Sequence, residues 1–301
     1  MNNGGNGLYH LVAFITVAIW GTTFVSTKVL MLNGLSPAVI FTLRFIIAYV
    51  LMLGFNHRRI LSDSWRDECK MILLGITGGS LYFLSENEAM NFTTTTNTSL
   101  IVCSCPLFAT LLDRLVYRGS SRIHSLQLAG SLLAFAGMVI VVLNGRFVLR
   151  LSPTGDALAF TACMCWAVYS LLMKSVSSRY SAAFITRKVF FYGVLTILPY
   201  YIFFPDLPSW ETLVKPQVAG NLLFLGCFAS MLCFLTWNWC IAKLGVVRAT
   251  NWVYFNPITT MIFASWVLSE KITPFFLVGA LCILLGMYMA NKTIKHAPQE
   301  A

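Results

Sequence analysis

Charge is what this chain has least of. Only 11% of its 301 residues are Asp, Glu, Lys or Arg, while 57% are hydrophobic. An ordinary soluble domain carries about 25% charge, so there are too few charged groups here to coat a water-soluble globule. Acidic residues are scarcer still, 11 against 21 basic ones. The formal charge of +10 would suit a nucleic-acid binder if the basic residues were gathered on one surface. They fall instead in the breaks between apolar runs, as in the cytoplasmic loops of membrane proteins, so no nucleic-acid partner is expected.

Several chemistries are missing as well. The chain has no Gly-rich phosphate loop ending in Lys-Ser/Thr, no HExxH pair and no nucleophile motif, and His10, His57, His124 and His296 lie at span ends or tails. Nucleotide-driven work and an intramembrane enzyme therefore lose their support, and no cofactor is expected. Cys69, Cys103, Cys105, Cys163, Cys165, Cys227, Cys233, Cys240 and Cys282 lie almost wholly inside apolar runs. They read as small packing residues, without a disulfide framework or a zinc site. In "CSC" and "CMC" the thiols are two apart and diverge on a helix, so no shared metal is expected. The opening "MNNGGNG" has no basic segment, and the apolar run after it is long enough to span, so no cleavable signal peptide is expected.

What is present is length in lipid. Apolar windows lie near 9–29, 36–55, 70–90, 95–116, 124–143, 156–176, 182–204, 218–240, 248–268 and 274–291, each close to the roughly 20 residues a spanning helix needs. They predict an all-α integral membrane protein of ten transmembrane helices with no room for a soluble domain. With the N-terminus inside, Arg58, Arg59, Arg66, Lys70, Arg118 and Arg122 are among the many inner-loop cations. Only Lys28, Arg146, Arg150, Lys215 and Lys271 then fall outside. The bias puts both termini in the cytoplasm, and the short loops suit a bacterial cytoplasmic membrane.

The two halves repeat. "LLGITGGSLYFLSENEAM" (73–90) lies over "FLGCFASMLCFLTWNWCI" (224–241), and the same offset carries Pro106 onto Pro257. "GSLLAFAGM" (130–138) matches "GALCILLGM" (279–287), and Trp20/Lys28 recurs as Trp166/Lys174. Residues 1–146 and 147–301 are thus expected to be two five-helix copies. An odd number of helices sends the second copy in from the other side, giving an inverted repeat with a site between the halves.

These residues resemble the drug/metabolite transporter superfamily, specifically its EamA-like members. The stretches that carry the likeness are "AIWGTTFVSTK" (18–28), "EAMNFTTTTNTSLIVCSCPLF" (88–108), "CIAKLGVVRATNWVYFNPI" (240–258), "LSEKIT" (268–273) and the two "G…GM" segments. The resemblance covers nearly the whole chain. It implies a central cavity lined by the first, third, fourth, sixth, eighth and ninth helices, and transport, often export, of amino acids or other small metabolites. One departure stands out: the family's Glu after the fourth helix of a repeat is Glu270 in the second half, but Gly119 occupies that place in the first.

Candidate site residues follow from position. Glu86 and Glu88 lie in the last quarter of the third span, and their repeat partners Trp237 and Trp239 suggest an interfacial belt. Two residues apart is about 200° of rotation, so the carboxylates face different ways. Glu86 continues the stripe Gly75, Gly79, Tyr82 and points inward, holding either a cationic group of a solute or a Lys such as Lys28, or else forming a structural salt bridge. Glu88 continues Thr77, Leu81 and Leu84 toward lipid. Trp20, Thr23, Trp166 and Tyr169 sit mid-helix and make an aromatic wall or plain core. Asn97, Thr98, Ser99, Asn238, Asn251, Tyr254 and Asn256 offer hydrogen bonds to a substrate or between helices. Pro106 and Pro257 break their helices, freeing the carbonyls of Val102 and Val253. Arg44 is too deep for easy snorkelling and should face protein or a water-filled space; Arg187 and Lys188 should pair with carboxylates or snorkel. Asp113 and Arg114 read as helix-end charges. Gly130, Gly137, Gly279 and Gly286 should let the fifth and tenth helices pack closely. The expected function is a secondary transporter, an exporter of small organic metabolites working by alternating access. An intramembrane enzyme, or a receptor or assembly subunit, is the alternative.

Overall fold

The computed structural model describes residues 3–55, 60–93, 98, 101–116, 125–143, 152–268 and 272–292. Among the described residues all regular structure is helical: α1 (Asn3–Leu32), α2 (Pro37–Phe55), α3 (Trp65–Gly75), α4 (Leu81–Phe92), α5 (Cys105–Val116), α6 (Ser125–Leu143), α7 (Pro153–Val176), α8 (Ala182–Phe203), α9 (Pro216–Leu223), α10 (Cys233–Leu244), α11 (Val246–Thr250), α12 (Asn256–Leu268) and α13 (Pro274–Lys292), with a single helical turn, Trp210–Leu213, between α8 and α9. One wide π-helical stretch, Ile76–Ser80, runs α3 into α4, and another, Phe224–Leu232, runs α9 into α10. A 3-10 stretch, Asn251–Phe255, joins α11 to α12.

Local chemistry sets the ends. Ser64 Oγ accepts the Asp67 N–H at the start of α3 (3.2 Å), and Ser152 Oγ accepts that of Gly155 at the start of α7 (3.3 Å) while Asp156 accepts the Ser152 N–H. These caps satisfy donors that a helix start leaves open. Gly34 (φ +88°) and Gly245 (φ +81°) turn the chain between α1 and α2 and between α10 and α11, in a backbone region that costs glycine little.

Pro37–Gly54, Pro153–Val176, Ala182–Phe203 and Pro216–Leu244 are long and apolar enough to cross a bilayer, and Gly7–Thr23, Ser125–Val141 and Pro274–Ala290 are shorter apolar helices. Large apolar side chains such as Leu198, Ile202, Phe203, Leu281 and Leu284 stand exposed around the bundle. That much exposed apolar surface suits lipid rather than water.

Helices α6 and α13 pack as their glycines predict. A Cβ on Gly130 would lie 2.6 Å from the carbonyl oxygen of Gly286, and one on Gly137 would lie 2.6 Å from that of Gly279. Gly130 therefore faces Gly286 while Gly137 faces Gly279, so α6 and α13 run antiparallel with backbones in contact. Exchanging each glycine for its repeat partner maps one contact onto the other.

The same correspondence recurs elsewhere. Trp65 and Pro216, which open α3 and α9, are related by the offset that relates Pro106 to Pro257, and so are the two π-helical stretches. Each proline is the second residue of its helix, α5 or α12, after a turn at Cys103 and Ser104 or after the 3-10 stretch. This corrects the expectation of prolines that free carbonyls inside helices. The Val253 carbonyl accepts the Asn256 N–H, and a proline at a helix start gives up a donor that has no intrahelical partner anyway.

Candidate functional site

The core is built around aromatic rings from both halves. α1 brings Trp20, α4 brings Tyr82 and Phe83, α7 brings Trp166 and Tyr169, and α10 brings Phe234 and Trp237. Trp20 meets Trp166 edge-on at 5.5 Å and Trp237 at 5.2 Å, Trp166 stacks on Tyr169 at 5.2 Å, and Tyr82 lies 5.2 Å from Trp166. Trp20, Tyr82 and Phe83 are only half-buried although their neighbours are fully packed. Trp237 is completely buried, which corrects its reading as an interfacial-belt residue: the centre of the bundle claims it. Trp239, by contrast, packs edge-on against Tyr9 near the start of α1.

Glu86 and Glu88 separate as the 200° rotation requires. Glu86 is buried and accepts the Tyr82 hydroxyl at 2.9 Å, whereas Glu88 is part-exposed and accepts from Asn91. The charge that sequence reasoning placed in protein or water, Arg44, is also buried; it donates from Nε to Ser230 Oγ at 2.8 Å and lies 4.8 Å over the Phe83 ring. Among the described residues Arg44 and Glu86 form no ion pair with one another. Ser230, Phe83 and Phe234 escaped the sequence reading. Their signal was the repeat itself, since Ser230 answers to Gly79 on the inward stripe and Phe234 answers to Phe83.

The other candidates divide. Tyr169 donates to Asn238 Oδ1 at 2.6 Å, and Asn238 donates to Thr186 at 2.9 Å, so this buried chain closes on itself. Trp20 donates to the Ala229 carbonyl (3.0 Å) and Thr23 bonds back to the Trp20 carbonyl (2.7 Å). Asn251 and Tyr254 are buried on the far side of the core, where Tyr254 packs in the cluster that holds Cys103. The Tyr254 hydroxyl, Asn256 Oδ1 and Trp237 Nε1 are buried without a hydrogen-bond partner, which a native interior seldom allows. Asn97, Ser99, Gly119 and Glu270, and the side chain of Lys28, lie outside the described residues.

Two closures flank the site at opposite ends. α4 runs against α2, with Gly79 by Phe45 and Phe83 by Phe41, whereas Pro216–Leu244 runs alongside α2, with Gly226 against Ile47. The starts of α3 and α9 therefore point to different ends. At the start of α3, Asp67 accepts from Tyr180 (3.0 Å) and Arg179 (3.3 Å), and Glu68 accepts from Lys188, Tyr192 and the Ser62 N–H. Lys174 bonds Asp113 at 2.7 Å, so Asp113 is paired rather than merely solvated at a helix end. Burial alone would raise the Glu68 carboxyl, but hydrogen bonds from Lys188, Tyr192 and Ser62 outweigh it and bring the pKa down to about 2. Asp67 is lowered too, chiefly by the Tyr180 hydroxyl. At the start of α9, Val218, Leu222 and Leu225 cluster with Leu30, Leu35, Val39 and Ile40, an aliphatic contact beside which Thr42 and Tyr201 share a hydrogen bond at 2.8 Å.

A lipid-facing helical bundle with aromatic rings and two opposite charges inside is the architecture of a small-molecule membrane transporter. The chain belongs to the EamA-like transporter family, whose model matches residues 7–143 and again 153–292. An uncharacterized transporter of Archaeoglobus fulgidus is 26% identical over 95% of this chain and 98% of its own length. A probable amino-acid metabolite efflux pump of Escherichia coli is 24% identical, covering 93% of each. A probable terminal-alkyne amino-acid exporter of Streptantibioticus cattleyicolor is 25% identical over 95% of this chain and 94% of its own. A solved crystal structure matches with a TM-score of 0.77 at 17% identity, over 95% of this chain and 98% of that one, and shares the fold. The protein is thus a multi-pass membrane transporter and not an enzyme.

Proposed function

We propose that the protein is a secondary transporter that exports small organic metabolites such as amino acids across the cytoplasmic membrane by alternating access. Ten spanning helices form two inverted repeats, residues 1–146 and 147–301, with both termini in the cytoplasm. The observation that carries the reading is the site's position between pseudo-symmetric closures. The start of α3 grips the second half at one end, the start of α9 grips the first half at the other, and the Trp20, Trp166 and Glu86 region lies between. A repeat that enters lipid in the opposite sense yields such mirrored closures, and opening one while the other stays shut exposes the site to one side at a time. The amino-acid and metabolite exporters among the relatives support the solute class.

Flux into proteoliposomes tests it. Labelled amino acids and related metabolites should enter faster than into empty vesicles and show saturation and counter-exchange. Flux equal to that of empty vesicles across the panel would refute the proposal.

A further inference from the structure

Arg44 is about 95% buried and uses one of its five N–H donors, the Nε–H given to Ser230. Glu86 is about 92% buried and uses one carboxylate oxygen, toward Tyr82. Among the described residues neither meets an opposite charge in an ion pair. None of the guanidinium's terminal nitrogens, and not the second Glu86 oxygen, is among the fully enclosed polar atoms that lack a partner. These atoms therefore keep a little accessible surface.

The contacts of Gly79 with Phe45 and of Phe83 with Phe41 set the Arg44 backbone level with about Ser80, so Glu86 lies about 9 Å further along the axis; the Arg44 guanidinium, over the Phe83 ring, spans part of that distance. Two opposite charges inside a membrane protein and left apart are costly. A pair with only a structural task would close into contact, as Lys174 and Asp113 do at 2.7 Å. The separation of the two charges, the guanidinium nitrogens that make no hydrogen bond and the adjacent half-buried Trp20, Tyr82 and Phe83 have one chemistry in common.

Resting on the transport reading above, we propose that Arg44 and Glu86 form a split seat for a zwitterion. The solute's carboxylate lies on the free Arg44 nitrogens beside Ser230, its ammonium lies on the free Glu86 oxygen, and its apolar or aromatic side chain lies against Tyr82, Trp20 and Trp166. A carboxylate suits the planar fork of an arginine. A solute lacking either charged group leaves one protein charge unpaired.

The test uses the purified full-length protein in detergent with three probes: L-phenylalanine, 3-phenylpropionate, which lacks the ammonium, and phenethylamine, which lacks the carboxylate. Competition calorimetry should show phenylalanine binding at least about tenfold more tightly than either half-analogue, since a lost charged hydrogen bond is worth about tenfold or more. Arg44→Gln should abolish the advantage over phenethylamine and Glu86→Gln the advantage over 3-phenylpropionate, each leaving the other preference in place. The analogue comparison on the unaltered chain stands even if a variant misfolds. Equal binding of the three probes, no binding of phenylalanine, or folded variants that keep both preferences would overturn the seat. Saturable flux of a non-zwitterionic solute alongside any of these results would leave the transport reading intact, whereas absence of flux for every solute would remove it.

Discussion

The two closures occupy equivalent places in a duplicated chain, yet one is ionic and the other apolar. Asp67 and Val218 are each the third residue of their helices, α3 and α9. Asp67 is bound by Tyr180, Arg179 and Lys70, while Val218 sits in a cluster of aliphatic side chains. Shape alone can therefore be met by either chemistry, and the duplication keeps the shape. What differs is how each contact lets go. An ionic closure can exchange protein partners for water and salt as it opens, whereas an apolar one must expose hydrocarbon. In the proposed orientation the ionic end is the one that faces the cytoplasm.

The largest expected effect comes from breaking a buried ion pair. Lys188→Met removes the opposite charge from Glu68, leaving it the Tyr192 hydroxyl and the Ser62 N–H, and should cost about 3 kcal/mol, read as a fall in the thermal midpoint of the detergent-solubilised protein. The double change Glu68→Leu with Lys188→Met should recover most of that loss, because well-packed apolar groups replace a buried pair with little penalty. A double variant as unstable as the single one would mean that the cluster contributes more than pairing.

The glycine seam is the control, since there the halves are alike. Gly137→Val and Gly286→Val put a Cβ within 2.6 Å of the facing backbone or closer, and should cost similar amounts, about 1–3 kcal/mol each. Unequal costs would break the symmetry on which the comparison rests. At the apolar end Val218→Ala should cost about 1–2 kcal/mol and be insensitive to salt.

The last expected effect concerns pH and appears only in acid. Glu68 and Asp67 are lowered in the folded protein, so their stabilising contribution is present above the ordinary carboxylate range and is lost as pH falls. For Glu68 the window runs from about 4.5 down to about 2. The thermal midpoint should decline through that window, and Glu68→Gln should flatten its share. A midpoint as steep in the variant as in the parent would assign the decline to other groups.

Much of this arrangement was legible in the sequence, and the residues show why the rest was not. Spacing of seven put Gly130 and Gly137 on one face, and the helical angle separated Glu86 from Glu88; both follow from local periodicity. The π-helical stretches at Ile76–Ser80 and Phe224–Leu232 were hidden, because an extra residue per turn leaves no mark on hydropathy when its neighbours are all apolar or small. The Arg44 to Ser230 bond joins residues far apart in the chain, and only the fold shows that contact. Trp237 was misplaced because the belt preference of tryptophan is an average that a buried aromatic cluster overrides. Pro106 and Pro257 were found, but whether a proline kinks a helix or starts one depends on the turn before it.

Sidedness tests the central claim most directly. Ile60, just before α3, and Trp210, before α9, are both exposed. With single cysteines introduced at each position in intact cells, an impermeant maleimide should label Trp210→Cys from outside and leave Ile60→Cys untouched until the cells are opened. Labelling of both from the same side would contradict a bundle built from two oppositely threaded halves.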